Sequence, residues 1–127
     1  MSPEKALLLQ NRYPSLYGAR GHSRPVYFDV GDGWFDLLDA LSARIQAAWN
    51  AAASSSEPVD FTVVQIKQKF GGLRYYADGR LLDVVHEFIE EAARKADVTC
   101  EVCGSPGETA GRGYIQTLCA EHAKEVR

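Results

Sequence analysis

Apolar residues recur at steps of three and four in two stretches of this chain and gather in a strand-like run between them. In the first stretch Trp34, Leu37, Leu38, Leu41, Ile45, Ala48 and Trp49 share one face, while Asp36, Asp39, Arg44 and Asn50 fall elsewhere on the wheel. This predicts an amphipathic helix over about Gly33–Ala52, with Asp32 as its cap and Asp36 favouring its positive end. The other helical stretch places Leu81, Leu82, Val85, Phe88, Ile89, Ala92 and Ala96 in one stripe and predicts a helix over about Arg80–Ala96. Its wet side carries Glu90–Arg94 and Glu91–Lys95 at i,i+4 spacing, and His86 borders the stripe as a packed histidine. Between the helices, Phe61 to Lys69 is rich in β-branched and apolar residues, Gly71-Gly72 can turn, and Leu73 to Ala77 can return. A hairpin over 61–77 follows.

The flanks are less regular. Ser2 can cap a short first helix with Pro3 in its first turn, Leu7 and Leu8 as its apolar face and Pro14 as its end. The next segment is turn-rich and reads as irregular, except that Val26, Phe28 and Val30 alternate with Tyr27 and Asp29 as in a short strand. His22 reads as a solvated loop histidine, and the Ala/Ser run at 51–56 closes the long helix into a connector. The elements predict one α+β domain of 127 residues, long enough to bury roughly two-thirds of its unfolded surface. Two amphipathic helices would cover a small antiparallel sheet, with residues 1–97 as the α+β core and residues 98–127 as an attached module.

That module holds all three cysteines. Cys100 and Cys103 are two apart, a loop follows, and Cys119 and His122 close the pattern. Two pairs of soft donors separated by a loop predict one tetrahedral zinc, held by Cys100, Cys103, Cys119 and His122. Gly104 suits a tight knuckle after Cys103, Gly107, Gly111 and Gly113 punctuate a short hairpin, and the run from Leu118 to Val126 reads as a short helix. Knuckle, hairpin and ligand-bearing helix are the parts of a treble clef. A redox pair lacks the strand-to-helix setting of a dithiol enzyme, and a disulfide scaffold would strand one cysteine of three. Four protein donors leave no place for water, so the zinc is expected to be structural.

Composition narrows the function. Hydrophobic residues make up 46% and charged ones 24%, and no apolar run reaches membrane-spanning length. The first residues lack a basic stretch followed by a long apolar one, so a cytoplasmic protein with reduced thiols is expected. The net charge of −3 is unevenly spread: residues 1–25 sum to +3, 26–60 to −5, 61–80 to +3 and 81–127 to −4. Alternation of this kind fits a protein-binding surface better than a nucleic-acid footprint. Lys67, Lys69, Arg74, Tyr75 and Tyr76 nevertheless cluster cations and aromatic rings at one end of the hairpin, a set suited to a partner-binding site. The same interleaving, with KFGGLRYY loosely like an RNA-recognition strand, keeps a nucleic-acid-binding alternative open. Deaminase, metal-nuclease and nucleophile-elbow patterns are all missing, which favours a non-enzymatic binder.

GDGWFDLLDAL, QIKQKFGGLRYY, CEVCGSPG and TLCAEHA, in that order, resemble a group of small, mostly uncharacterised proteins of tailed phages and proteobacterial mobile elements. The likeness covers nearly the whole chain. Related sequences often carry cysteine where this chain has Val30 and tryptophan where it has Tyr114, and neither difference touches the four proposed ligands. What the resemblance implies is an accessory protein of a phage or mobile element, of a kind that often blocks host defence machinery. With the binder reading, the expectation is a protein of the bacterial or phage-infected cytoplasm that binds and inhibits or adapts a larger protein machine, such as a CRISPR effector or another defence complex.

Overall fold

The computed structural model describes residues 1–18, 26–53 and 60–126. Their architecture is α+β. In chain order the elements are α1 (Pro3–Arg12), α2 (Pro14–Tyr17), β1 (Phe28–Asp29), a 3-10 turn (Asp32–Trp34), α3 (Phe35–Ala53), β2 (Asp60–Lys69), β3 (Gly72–Arg80), α4 (Asp83–Ala96), β4 (Glu108–Ala110), β5 (Gln116–Leu118) and α5 (Ala120–Val126). His22 and residues 54–56 of the Ala/Ser run lie outside the described residues.

Both long helices form where the periodicity puts them. α3 and α4 pack on each other and, with the inward residues of the sheet, enclose Trp34, Leu38, Leu41, Ile45, Val85 and Ala96. α4 starts three residues later than expected because β3 runs on to Arg80, paired with Asp60. The expected Glu91–Lys95 pair is present at 4.0 Å, but Glu91 lies closer to Arg44 of α3, at 2.9 Å, and these contacts lower its carboxyl pKa. The sheet is not wholly antiparallel. β2 and β3 form the antiparallel hairpin, while β1 joins β2 in parallel with Phe28 opposite Ile66. Two residues suffice for β1 because Val26, Phe28 and Val30 are each buried, as the alternation implies.

Three local expectations are corrected. α1 has its Ser2 cap, at 3.4 Å from the Lys5 N–H, yet it buries Leu9 and leaves Leu7 and Leu8 exposed. Three consecutive leucines carry no phase, so only packing decides which one turns inward. Pro14 ends α1 and also opens α2, whose Tyr17 is fully buried. There Tyr75 hydroxyl bonds to Tyr17 at 2.7 Å, Tyr17 to Ser42 at 2.6 Å, and Ser42 donates to the Leu38 carbonyl at 2.6 Å. Burial pushes the Tyr17 phenol up to about 12 and Tyr75 well above its ordinary value.

The hairpin turn is Phe70-Gly71 rather than Gly71-Gly72, because Gly72 already pairs with Lys69. Phe70 has φ +53° and Gly71 φ +80°, the left-handed pair of a two-residue turn. Glycine occupies that region freely. Phenylalanine does so at a cost of roughly 1–2 kcal/mol, which Asn-Gly would largely avoid. Phe70→Asn is therefore expected to stabilise the fold by about 1 kcal/mol, seen as a higher urea midpoint at unchanged slope. A lower midpoint would show that the ring makes packing contacts worth more than the strain.

Candidate metal centre

The centre is built at the end of α4. Gly104 N–H bonds to the Cys100 carbonyl at 2.9 Å and closes a knuckle in which Gly104 has φ +82°. β4 and β5 follow as an antiparallel pair, Glu108 opposite Leu118, and return the chain to the knuckle, where Glu101 N–H bonds to the Thr117 carbonyl at 3.0 Å. Cys119 then precedes α5, its carbonyl taking the Ala123 N–H at 2.9 Å, which puts His122 in the first turn of that helix.

These turns bring one donor atom from each of Cys100, Cys103, Cys119 and His122 within 4.8 Å of one another. Cys103 Sγ and Cys119 Sγ are 3.8 Å apart, Cys100 Sγ and His122 Nδ1 3.7 Å, and Cys119 Sγ and His122 Nδ1 3.1 Å. All three cysteines are free thiols. The cluster is compatible with a bound metal ion. Hydrogen bonds from Ser105, side chain and backbone, bring the Cys103 thiol down to about 6. Burial pushes the Cys100 thiol up, but N–H groups of Cys119, Cys103 and Val102 outweigh it and hold the thiol below its ordinary value. Metal binding requires thiolates, and these two shifts favour them, whereas at Cys119 the His122 N–H is outweighed by burial and the neighbouring Cys103 and Cys100 thiols, which hold that thiol above its ordinary value.

The GDGW segment is the seat of this centre. Gly31 N–H donates to Glu101 Oε2 at 2.9 Å, Gly33 N–H to the Glu101 carbonyl at 2.7 Å, and Trp34 Nε1 to the Thr99 carbonyl at 2.9 Å. A Cβ on Gly33 would lie 2.1 Å from the Cys100 carbonyl oxygen, and one on Gly31 would lie 2.3 Å from that of Glu101. The two glycines let backbone lie on backbone. Asp32 does not cap α3: it sits inside the 3-10 turn and takes the Ser2 N–H at 2.7 Å, tying α1 to the same seat. Burial raises the Glu101 carboxyl, against the Gly31 N–H that favours its charged form.

The tip of the β2–β3 hairpin also rests on the module. Thr117 Oγ1, fully buried, donates to the Gly71 carbonyl at 2.7 Å and lies 2.5 Å from Thr109 Oγ1. Sequence reasoning missed Glu101, Thr117 and the role of Gly31, Gly33 and Gly71, although paired glycines around a single aspartate were a signal of close approach that a helix cap does not need.

The five hairpin residues separate. Lys69, Arg74 and Tyr76 are exposed and Lys67 half-buried, with Lys67 Nζ 5.9 Å from the centre of the Tyr76 ring. Tyr75 is a correction: it points inward, buried and bonded to Tyr17, and so leaves the partner-binding set. No helix among the described residues is long and apolar enough to cross a membrane. Comparisons with protein-family models, curated proteins and solved structures found no match for this chain.

Proposed function

We propose that the chain is a non-enzymatic binding protein whose C-terminal module, treble-clef-like in layout, is held by one structural zinc. The cage of Cys100, Cys103, Cys119 and His122 carries this reading. Zinc with Zn–S near 2.3 Å and Zn–N near 2.0–2.1 Å sets the edges of a tetrahedron at about 3.6–3.8 Å. The thiol–thiol and thiol–imidazole separations of 3.8 and 3.7 Å have that size, the Cys119–His122 edge is shorter at 3.1 Å, and the four donors together lie within 4.8 Å. Four protein donors complete the shell, so the ion has a structural part and no open position for a reacting water. Metal analysis of protein purified without added zinc is expected to find one zinc per chain. Metal-free protein with Cys100 and Cys103 joined as a disulfide would overturn the assignment.

The resemblance to phage and mobile-element proteins supports the setting: an accessory protein, cytoplasmic in the host, that binds a larger protein machine and inhibits a defence complex such as a CRISPR effector. A structural zinc suits such a part, because it fixes the hairpin against the module and holds a contact surface in one shape before binding. The test is reconstitution with purified effector complexes. A complex stable through gel filtration, with effector activity reduced, is the expected result, and unaltered activity without co-elution across the effector types would remove the defence role.

A further inference from the structure

The outward face of β1–β3 is exposed and carries a specific combination of groups. Alternation turns Phe28, Ile66 and Tyr75 to the core and leaves Asp29, Lys67 and Arg74 as one outward row across the three strands. One step further along, Gln65 pairs with Tyr76, and carrying the parallel register back from Phe28 sets Tyr27 on the other side of Gln65. Tyr27 is 75% exposed and Tyr76 43%. Their rings thus stand two strand spacings apart, about 10 Å, on either side of the polar Gln65. At the tip, Phe70 is 66% exposed with Lys69 Nζ 5.7 Å from its ring centre.

Charge and aromatic area coincide here. Among the described residues, Lys67, Lys69 and Arg74 are in no ion pair, although the chain as a whole is acidic. Asp29 is the acid in their row. An acidic peptide would match the cations and leave Tyr27, Tyr76 and Phe70 without a counterpart. A duplex would match the cations as well, but its base faces are closed within the stack. A flexible polyanion that offers flat rings at intervals matches both sets. Phe70 adds an independent observation, since an exposed aromatic ring is kept at a turn position whose backbone disfavours it.

We infer that this sheet face binds single-stranded nucleic acid, with bases stacked on Tyr27, Tyr76 and Phe70 and phosphates on Lys67, Lys69 and Arg74. The inference rests on reading the chain as a binding protein, and it names the chemistry of one ligand of that protein.

The test uses the full-length, zinc-loaded chain and fluorescence anisotropy with labelled oligo-dT, oligo-U and a mixed-sequence duplex. Both single strands are expected to bind in preference to the duplex. The logarithm of affinity should fall linearly with the logarithm of salt concentration, by about 0.7 for each phosphate neutralised. Tyr27→Ala, at a solvent-exposed position, should weaken binding about five-fold or more at an unchanged salt slope. Lys67→Ala should make the slope shallower. The inference is overturned by absence of single-strand binding at low salt, by equal binding of the duplex, or by a Tyr27→Ala protein that binds as the parent does. A protein partner bound equally by parent and Tyr27→Ala, without oligonucleotide binding, overturns it while leaving the binding-protein reading in place.

Discussion

Chelating the proposed zinc is expected to unfold residues 98–126 and to loosen two distant segments with them. Apparent binding energies for structural zinc in small sites run about 10–16 kcal/mol at neutral pH and act directly as folding energy. The module has little else to stand on. Cys100, Thr117 and Leu118 are its buried side chains, and β4 and β5 are three residues each. Once the cage opens, Glu101 no longer holds the N–H groups of Gly31 and Gly33, Thr99 no longer receives Trp34, and Thr117 releases the Gly71 carbonyl. Hydrogen exchange should therefore quicken at 31–35 and 69–72 as well as through the module, while the centres of α3 and α4 stay protected. Cys119→Ser should reproduce this, and it is preferable to Cys100→Ser because Cys119 is half-buried while Cys100 lies in the core. Unchanged exchange after complete chelation would show that the four donors do not hold the module through a metal.

Gly33→Ala is expected to be the most damaging substitution that removes no functional group. Its methyl would sit 2.1 Å from the Cys100 carbonyl oxygen and 2.6 Å from both the Glu101 carbonyl carbon and the Gly104 nitrogen, all of them backbone. Neither side can yield by rotating a side chain. The knuckle must lift from its seat, straining the Gly33 N–H to Glu101 bond and the Trp34 indole bond together. Overpacking of about 1–3 kcal/mol combined with one or two weakened buried hydrogen bonds gives a loss of about 2–5 kcal/mol. Urea unfolding measures it. Asp32→Ala, next in the chain, loses only the bond to the Ser2 N–H and should cost about 1 kcal/mol. A Gly33→Ala midpoint equal to that of the parent would refute the seating of the module on this turn.

Elements whose information is local were legible in the sequence. Periodicity gave α3 and α4 with starts two and three residues early and ends within one residue, β-branched runs gave the hairpin, and donor spacing gave the four members of the cluster. What escaped depends on partners far along the chain. Asp32 has the chemistry of a cap, and only the neighbouring N-terminus shows that its carboxylate serves Ser2 instead. Tyr75 and Tyr76 are equivalent as letters, and the inward direction of Tyr75 follows from the strand register and from a hydroxyl waiting on Tyr17, 58 positions away. β1 pairs in parallel across more than thirty intervening residues, a connection without a turn signature of its own. The seat itself joins residues separated by 65 to 70 positions, and neither side announces the other.

That separation has a consequence for synthesis. Gly31 leaves the ribosome 70 residues before Glu101, an interval of roughly 4–14 s at the usual pace of translation. During it Trp34 has no Thr99 carbonyl to receive its indole N–H, and the apolar stripe of α3 has no α4 to cover it. The nascent chain thus carries an open hydrophobic surface until residues 83–101 emerge, so its yield should depend on chaperone supply and on elongation rate.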